Sequence, residues 1–366
     1  MKLLPPLALI AAVFALQALA GLAPQLVERF YSRAVFPFIA HAFSFASLSS
    51  FSLAELFLAL LLAALVAWLV WLARQLYIRR GEAGATLLSA LKTVLWAAAI
   101  VSTLFVLLFG LNYKRQQLAD TFGFERREPS AQEIEGISRT IIEGINSNYS
   151  ESGLSVEGGG GSTTPLSSTQ LFAVLEEAYA SEPLMRGATG ASVQPKAVYF
   201  SGMMSRLGIS GIYSPFTGEP NYNAIQPGFD IPFSVAHEMA HQRGFAREDE
   251  ANFVAFLVCT KASHPYVRYS GYLGALRVLG VLYRIAPERY RDVVAALGEG
   301  PRADLKARSQ FWSRYLGRLS NFSNSLNNAY LKFNGVRSGV RNYNEASSLI
   351  VGYYLKQSAA PQAADH

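Results

Sequence analysis

The residues best suited to chemistry lie in 235-VAHEMAHQRGFAREDEANF-253. His237 and His241 stand one helical turn apart, so both rings leave the same face of a helix and can reach one metal ion. Glu238 sits beside that face. This pattern, HExxH, is that of zinc sites in which the metal lowers the pKa of a bound water and the glutamate takes its proton.

Two histidines rarely hold a catalytic zinc unaided, and the chain has five histidines in all. Glu248 is the expected third ligand. On one unbroken helix it would share the histidine face but lie about 10.5 Å beyond His241, too far for a common ion. The chain must therefore turn after His241, and Gly244 stands where a positive φ is needed. A second helix starting near Ala246 then returns its face to the metal. On that helix Glu248 and Glu250 point about 200° apart, so only one of them faces the ion. Glu250 is expected to be solvated or salt-bridged. Asn252 shares the face of Glu248, where its amide can hydrogen-bond a ligand from behind.

HExxH followed by a glutamate helix reading ExEAN resembles the gluzincin metallopeptidases. That resemblance implies His237, His241 and Glu248 as ligands of one zinc per chain, Glu238 as general base and Asn252 as a supporting group. HExxHxxG also opens the metzincin pattern, but the position of that pattern's third ligand holds Arg247, which cannot bind a cation. Three N-terminal apolar spans, SGIYSPFTGEPNYN, the zinc-type motif and YLKFNGVRSGVRNY together resemble an uncharacterised bacterial family of membrane-anchored, zincin-like proteins, known as a domain of unknown function. Such a family implies a metalloprotease with an extracytoplasmic catalytic domain.

A peptide substrate would lie along a strand beside the metal helix, and YSPFTGEPNYNAIQPGF immediately precedes that helix. Tyr213, Thr217, Glu219 and Asn223 are the candidate cleft residues. An oxyanion at the scissile carbonyl needs a second donor, for which Arg243, Tyr330, Arg341 and Tyr343 have the right chemistry. His264, in KASHPY, is either a further donor or a helix cap.

The elements that position these residues divide unevenly along the 366-residue chain. Its first third is poorer in charge than the rest and contains three nearly uncharged apolar stretches near the roughly 20 residues that span a bilayer. They run over about 3–22, 51–72 and 87–111, the first also reading as a signal peptide with QALAGLA as a cleavage region. Arg74, Arg79 and Arg80 after the second stretch favour a cytoplasmic loop, placing the catalytic part, 113–366, outside the cell. The motif lies far from the spans along the chain and carries too much charge for a bilayer core, which argues against an intramembrane protease.

Between the first two spans, AVFPFIAHAFSFASL reads as an interfacial segment, with His41 as a polar contact there. Ser130 and Glu133 form a capping box for a helix ending near Asn146, followed by a flexible Gly/Ser loop over about 147–168. PKAVYFSGMMSRLGISGIYSPFT supplies one or two strands, and the rest is helical, with breaks at Pro287, Gly298–Pro301 and Gly335–Gly339. The expected fold is α+β and mainly helical: three membrane helices, then a zincin-like domain with a small sheet. The lone cysteine, Cys259, excludes an internal disulfide and reads as a buried apolar residue. The net charge of +6 is dispersed, so lipid is the expected partner and nucleic acid is not.

The expected activity is peptide-bond hydrolysis. The same chemistry would also serve an amidase acting on cell-envelope material. A non-enzymatic alternative is an exported sensor or binding domain stabilised by its zinc.

Overall fold

A computed structural model describes residues 3–124, 127–154, 161–182, 193–336 and 342–359, without the side chains of 342–344. The chain is a mainly helical α+β protein and, among the described residues, has three helices long and apolar enough to cross a membrane. These are α1 (Leu4–Leu22), α2 (Leu53–Ile78) and α3 (Ala83–Leu108), with α1 packed along α3. Helices α2 and α3 overrun the apolar stretches expected from the sequence at the end where the two meet. Their 26 residues each span about 39 Å, against a hydrocarbon thickness of roughly 30 Å. Apolarity marks the lipid contact, whereas the backbone ladder continues into the interface, where Arg80 stacks on Tyr77 at 4.6 Å.

After residue 113 come α4 (Ala131–Glu151), α5 (Ser168–Ser181), β1 (Lys196–Val198) and α6 (Ser201–Leu207). Then β2 (Gly211–Ser214) and β3 (Glu219–Asn223) lead into α7 (Ile231–Gln242), α8 (Glu248–Thr260) and α9 (Pro265–Gly274). Later helices include α10 (Glu299–Tyr315), α11 (Arg318–Phe333) and α12 (Asn342–Ala359). The capping box at Ser130 and Glu133 is formed. Helix α4 nevertheless runs past Asn146 to Glu151, because Ile134, Ile137, Ile141, Ile142 and Ile145 hold its inner face in the core. Of the expected Gly/Ser loop, 155–160 lie outside the described residues. Beyond them Ser162 is fixed, its N–H and hydroxyl both donating to Asp304.

Helix α8 is the axis of the main core, with every residue from Glu248 to Cys259 buried. It packs between α7, α9 and α12. Each large apolar side chain so buried contributes roughly 1.5–3 kcal/mol, and Phe253 and Phe256 are among them. Cys259 is one of these core residues.

The sheet has the order β1-β3-β2, with β1 parallel and β2 antiparallel to β3. Strand β3 is therefore central and β2 is an edge. The segment expected to be merely interfacial, 34–48, is helical over most of its length and contributes to a second core. In that core Phe36, 2% exposed, packs with Phe109, Tyr113, Tyr213, Ala246 and Leu331. His41 lies exposed in this segment.

Candidate functional site

Helix α7 carries His237 and His241 on one face, and its rings stand 4.7 Å apart at 89°. The chain then reverses at Gly244, with φ 84°, and α8 begins at Glu248. That is two residues later than expected, because Arg247 is still extended and acts as the helix N-cap. At the start of α8, the Glu248 carboxylate lies 3.1 Å from His237 Nε2 and 3.7 Å from His241 Nε2. One ligand atom from each of the three lies within 4.8 Å of the others.

The donor set of two imidazoles and a carboxylate fits a zinc site that keeps a position open for a fourth ligand. Glu248 Oε2 is buried and approaches both imidazole Nε2 atoms, which suits a carboxylate oxygen that would share a cation with them. His241 Nδ1 lies 2.7 Å from the Phe245 carbonyl, a contact that fixes the N–H there and leaves Nε2 for a metal. Burial disfavours charge on Glu248, yet the neighbouring imidazoles hold its carboxyl far below the usual range. Burial also opposes charge on His241, but Glu248 outweighs it and lifts the imidazole to about 9.

Glu238 is buried, and its carboxylate accepts the N–H of Tyr213. Burial raises its pKa to about 6, with Glu248 adding to the effect and the two imidazoles and the Tyr213 N–H opposing it. Its carboxylate is wedged against β2 so closely that a Cβ at Gly211 would stand 2.5 Å from Oε1. Asn223 donates to Ser210 O, so by antiparallel alternation the backbone groups of Gly211 and Tyr213 point away from β3. The free edge of β2 thus faces the same space as Glu238.

That space is a cavity of about 1170 Å³ lined by His237, Glu238, His241, Glu248, Asn252 and β2, with Ser323, Asn324, Asn327 and Tyr330 of α11 above them. Arg277 and Arg308 line its wall, the latter ion-paired to Asp230. Asn252 reaches the cavity one turn beyond Glu248, and its Nδ2 has no hydrogen-bond partner among the described residues.

Of the expected cleft residues, only Tyr213 lines the cavity. Glu219 and Asn223 belong to the central strand, whose edges are both occupied. The carboxylate of Glu219 instead caps α2, accepting the N–H groups of Leu53 and Ala54 at 3.1 and 2.7 Å. Asn223 donates to Ser205 Oγ and Ile209 O. Thr217 lies in the β2–β3 turn, which Gln242 clamps to the end of α7 by donating to Gly218 O.

Among the expected oxyanion donors, Tyr330 lines the cavity, and its hydroxyl accepts from Tyr113 at 3.1 Å. Burial keeps its phenol protonated well above the usual range. Arg243 points the other way, stacked 3.9 Å over Tyr179 and paired with Glu176. Arg341 lies outside the described residues, as does the side chain of Tyr343. His264 is a cap, accepting from Tyr266 N.

Glu250 is neither solvated nor part of the His-His-Glu cluster. It is 1% exposed and accepts the Leu118 N–H at 2.8 Å. Burial and Asp249 raise its pKa, against the pull of Arg247 and Arg115. Sequence reasoning also missed the membrane side of the site. Phe105, Phe109 and Tyr113, from the end of α3 onward, line the cavity, and Phe109 meets the His241 ring edge-on at 6.2 Å. The motif is remote from the spans along the chain but adjacent in space to the end of α3. Behind the turn, Arg115 donates to Gly244 O, forms two hydrogen bonds with Glu28 and stacks over Phe245.

Fold and site together define a membrane protein whose His-His-Glu cluster lies beside the end of a membrane span. Residues 31–351 match the family described as "Protein of unknown function (DUF3810)", and the chain belongs to that family. No curated protein and no solved structure matches the chain.

Proposed function

We propose that this protein is a membrane-anchored zinc metallopeptidase of gluzincin type, with its catalytic part outside the cell. The observation that supports this reading is the meeting of His237, His241 and Glu248 beside Glu238, on a cavity bordered by the free edge of β2. The two imidazoles and the Glu248 carboxylate would hold the metal. When bound, zinc would supply a Lewis acid and lower the pKa of water.

The chain's own residues then divide the remaining work. The outward-pointing backbone groups of Gly211 and the carbonyl of Tyr213 pair with an extended peptide and hold its scissile carbonyl near the cluster, while the Tyr213 N–H stays on Glu238. Glu238, poised by burial near neutrality, accepts a proton from the attacking water and passes it to the leaving amine. Tyr330 provides a protonated hydroxyl beside Glu248 for the developing oxyanion. A structural zinc site would have no need of Glu238, so its position favours catalysis over a purely stabilising metal.

The decisive variant is Glu238→Gln in the full-length chain in lipid nanodiscs. One zinc per chain should remain by elemental analysis, while peptide hydrolysis falls roughly 10²–10⁴-fold. Unchanged turnover would overturn the mechanism. Protease accessibility of the C-terminal part in intact cells tests its side of the membrane.

A further inference from the structure

Helix α11 presents three different faces. Ser320 and Leu331 are buried, and Ser323, Asn324 and Asn327 look into the cavity. Leu319, Phe322, Leu326 and Phe333 fall within about 60° of arc on the helix surface, and each is between 43% and 59% exposed. The third face is polar, with Asn321, Ser325 and Lys332 exposed. An apolar stripe of this size on a cavity-roofing helix is not a packing solution within the chain, so something outside it must cover it.

The position of α11 indicates what that is. Phe333 packs edge-to-face on Phe14 of α1 at 5.0 Å, and Phe14 is eight residues before the end of that span. Tyr330 meets Phe105, three residues before the end of α3, at 5.8 Å. The C-terminal half of α11 therefore lies level with the last turn of α3 and about 12 Å short of the end of α1, so its stripe continues their lipid-facing surface. Just before α6, which packs on α11, Tyr199 and Phe200 are 87% and 66% exposed, and their N–H groups bind the Glu55 carboxylate in the first turn of α2. Antiparallel α2 starts on the side where α3 ends, so these aromatics mark the same membrane face. Arg318 and Lys332, exposed near the two ends of α11, suit a helix lying in the headgroup layer.

Phe105 and Leu326 then contribute both to the membrane-level surface and to the cavity wall. We propose that α11 lies in the bilayer interface and that the cavity takes its substrate from that leaflet, as the juxtamembrane segment of a membrane-anchored polypeptide. The substrate class rests on the peptidase reading above. The seating of α11 does not.

The test uses full-length protein in nanodiscs and has two arms. Environment-sensitive labels at Phe322→Cys and Ser325→Cys are compared, the native Cys259 being buried. The Phe322 label should be quenched by nitroxide-bearing lipid and protected from iodide, with the reverse at Ser325. Equal iodide access at both positions overturns the seating, whatever the activity. In the second arm, one peptide is supplied free in solution or tethered beside a single membrane helix. Tethered peptide should be cleaved roughly tenfold faster or more, through its raised local concentration. Leu319→Asp with Phe322→Asp should remove that advantage while leaving free-peptide hydrolysis and the melting temperature unchanged. Equal rates on both forms, or turnover of a lipid-linked glycopeptide with none of the tethered polypeptide, overturn the substrate class. No hydrolysis of any peptide by zinc-loaded protein refutes the peptidase reading itself, while the quenching result still decides the seating.

Discussion

The floor and the roof of the cavity are built on opposite terms. The floor, α7 and α8, is enclosed by packed elements except where it faces the cavity, and even its charged residues are buried: Glu238, His241, Glu248 and Glu250 are all less than 9% exposed. The roof, α11, buries only a narrow face and leaves its apolar stripe open. On the proposed reading, metal ligands must be held to within fractions of an ångström, which suits a floor where close packing permits no alternative. On the same reading a roof over a substrate path has to be crossed, and dense packing there would obstruct it.

The comparison predicts its own failure modes. The largest effect is expected at Arg115, which is buried against Glu28 and ties the Gly244 turn to the segment before the second span. Arg115→Ala should cost about 1.5–3 kcal/mol in denaturant unfolding, because it takes two charge-assisted hydrogen bonds from a buried carboxylate that keeps only Arg33. A loss below about 1 kcal/mol would show that the floor does not depend on that brace.

Next in size is Gly211→Ala. The new methyl group must displace the Glu238 carboxylate, so hydrolysis should fall about a hundredfold while zinc content is unchanged. If zinc leaves with activity, the strand positions the ligands and not the base.

A smaller effect concerns pH. Burial raises the Glu28 pKa, but Arg115 and Arg33 more than offset it and hold the carboxyl below its ordinary 4.5. A depressed carboxylate stabilises the fold above the unfolded value and loses that contribution as pH falls through the folded one. The melting temperature of the native chain should therefore drop more steeply below about pH 4.5 than that of Glu28→Gln. Parallel curves would remove the pair from the account. At the roof, Phe322→Ala should change global stability by no more than about 0.5 kcal/mol by the same unfolding measurement. A core-sized loss would mean that α11 is packed by protein and not by lipid.

Reading the sequence went furthest where helix geometry leaves few choices. The spacing of His237 and His241, the need for a reversal at Gly244 and the capping box at Ser130 are all local, and each appears in the structure. The fold class was legible for the same reason, from long apolar stretches and helical periodicity. What was hidden depends on distant pairings. Nothing near Glu219 shows that its carboxylate caps a helix 165 residues earlier, or that β2 and not β3 is the edge strand. Phe36 looked like a lipid contact because apolar residues that face lipid and those that face protein have the same chemistry. Tyr113 was overlooked because its position just past a span carries no motif.

The cap that Glu219 places on α2 has a consequence for modularity. Membrane anchors are often treated as interchangeable tethers, but here the second span's first turn is a structural partner of the central strand. Ser52 donates to Asn221 while Leu53 and Ala54 bind Glu219. A chain cut at 113 would leave that carboxylate buried without its donors, and grafting a foreign span would do the same. The anchor is inherited with the sheet it caps, so the two must be transplanted, truncated or evolved as one piece.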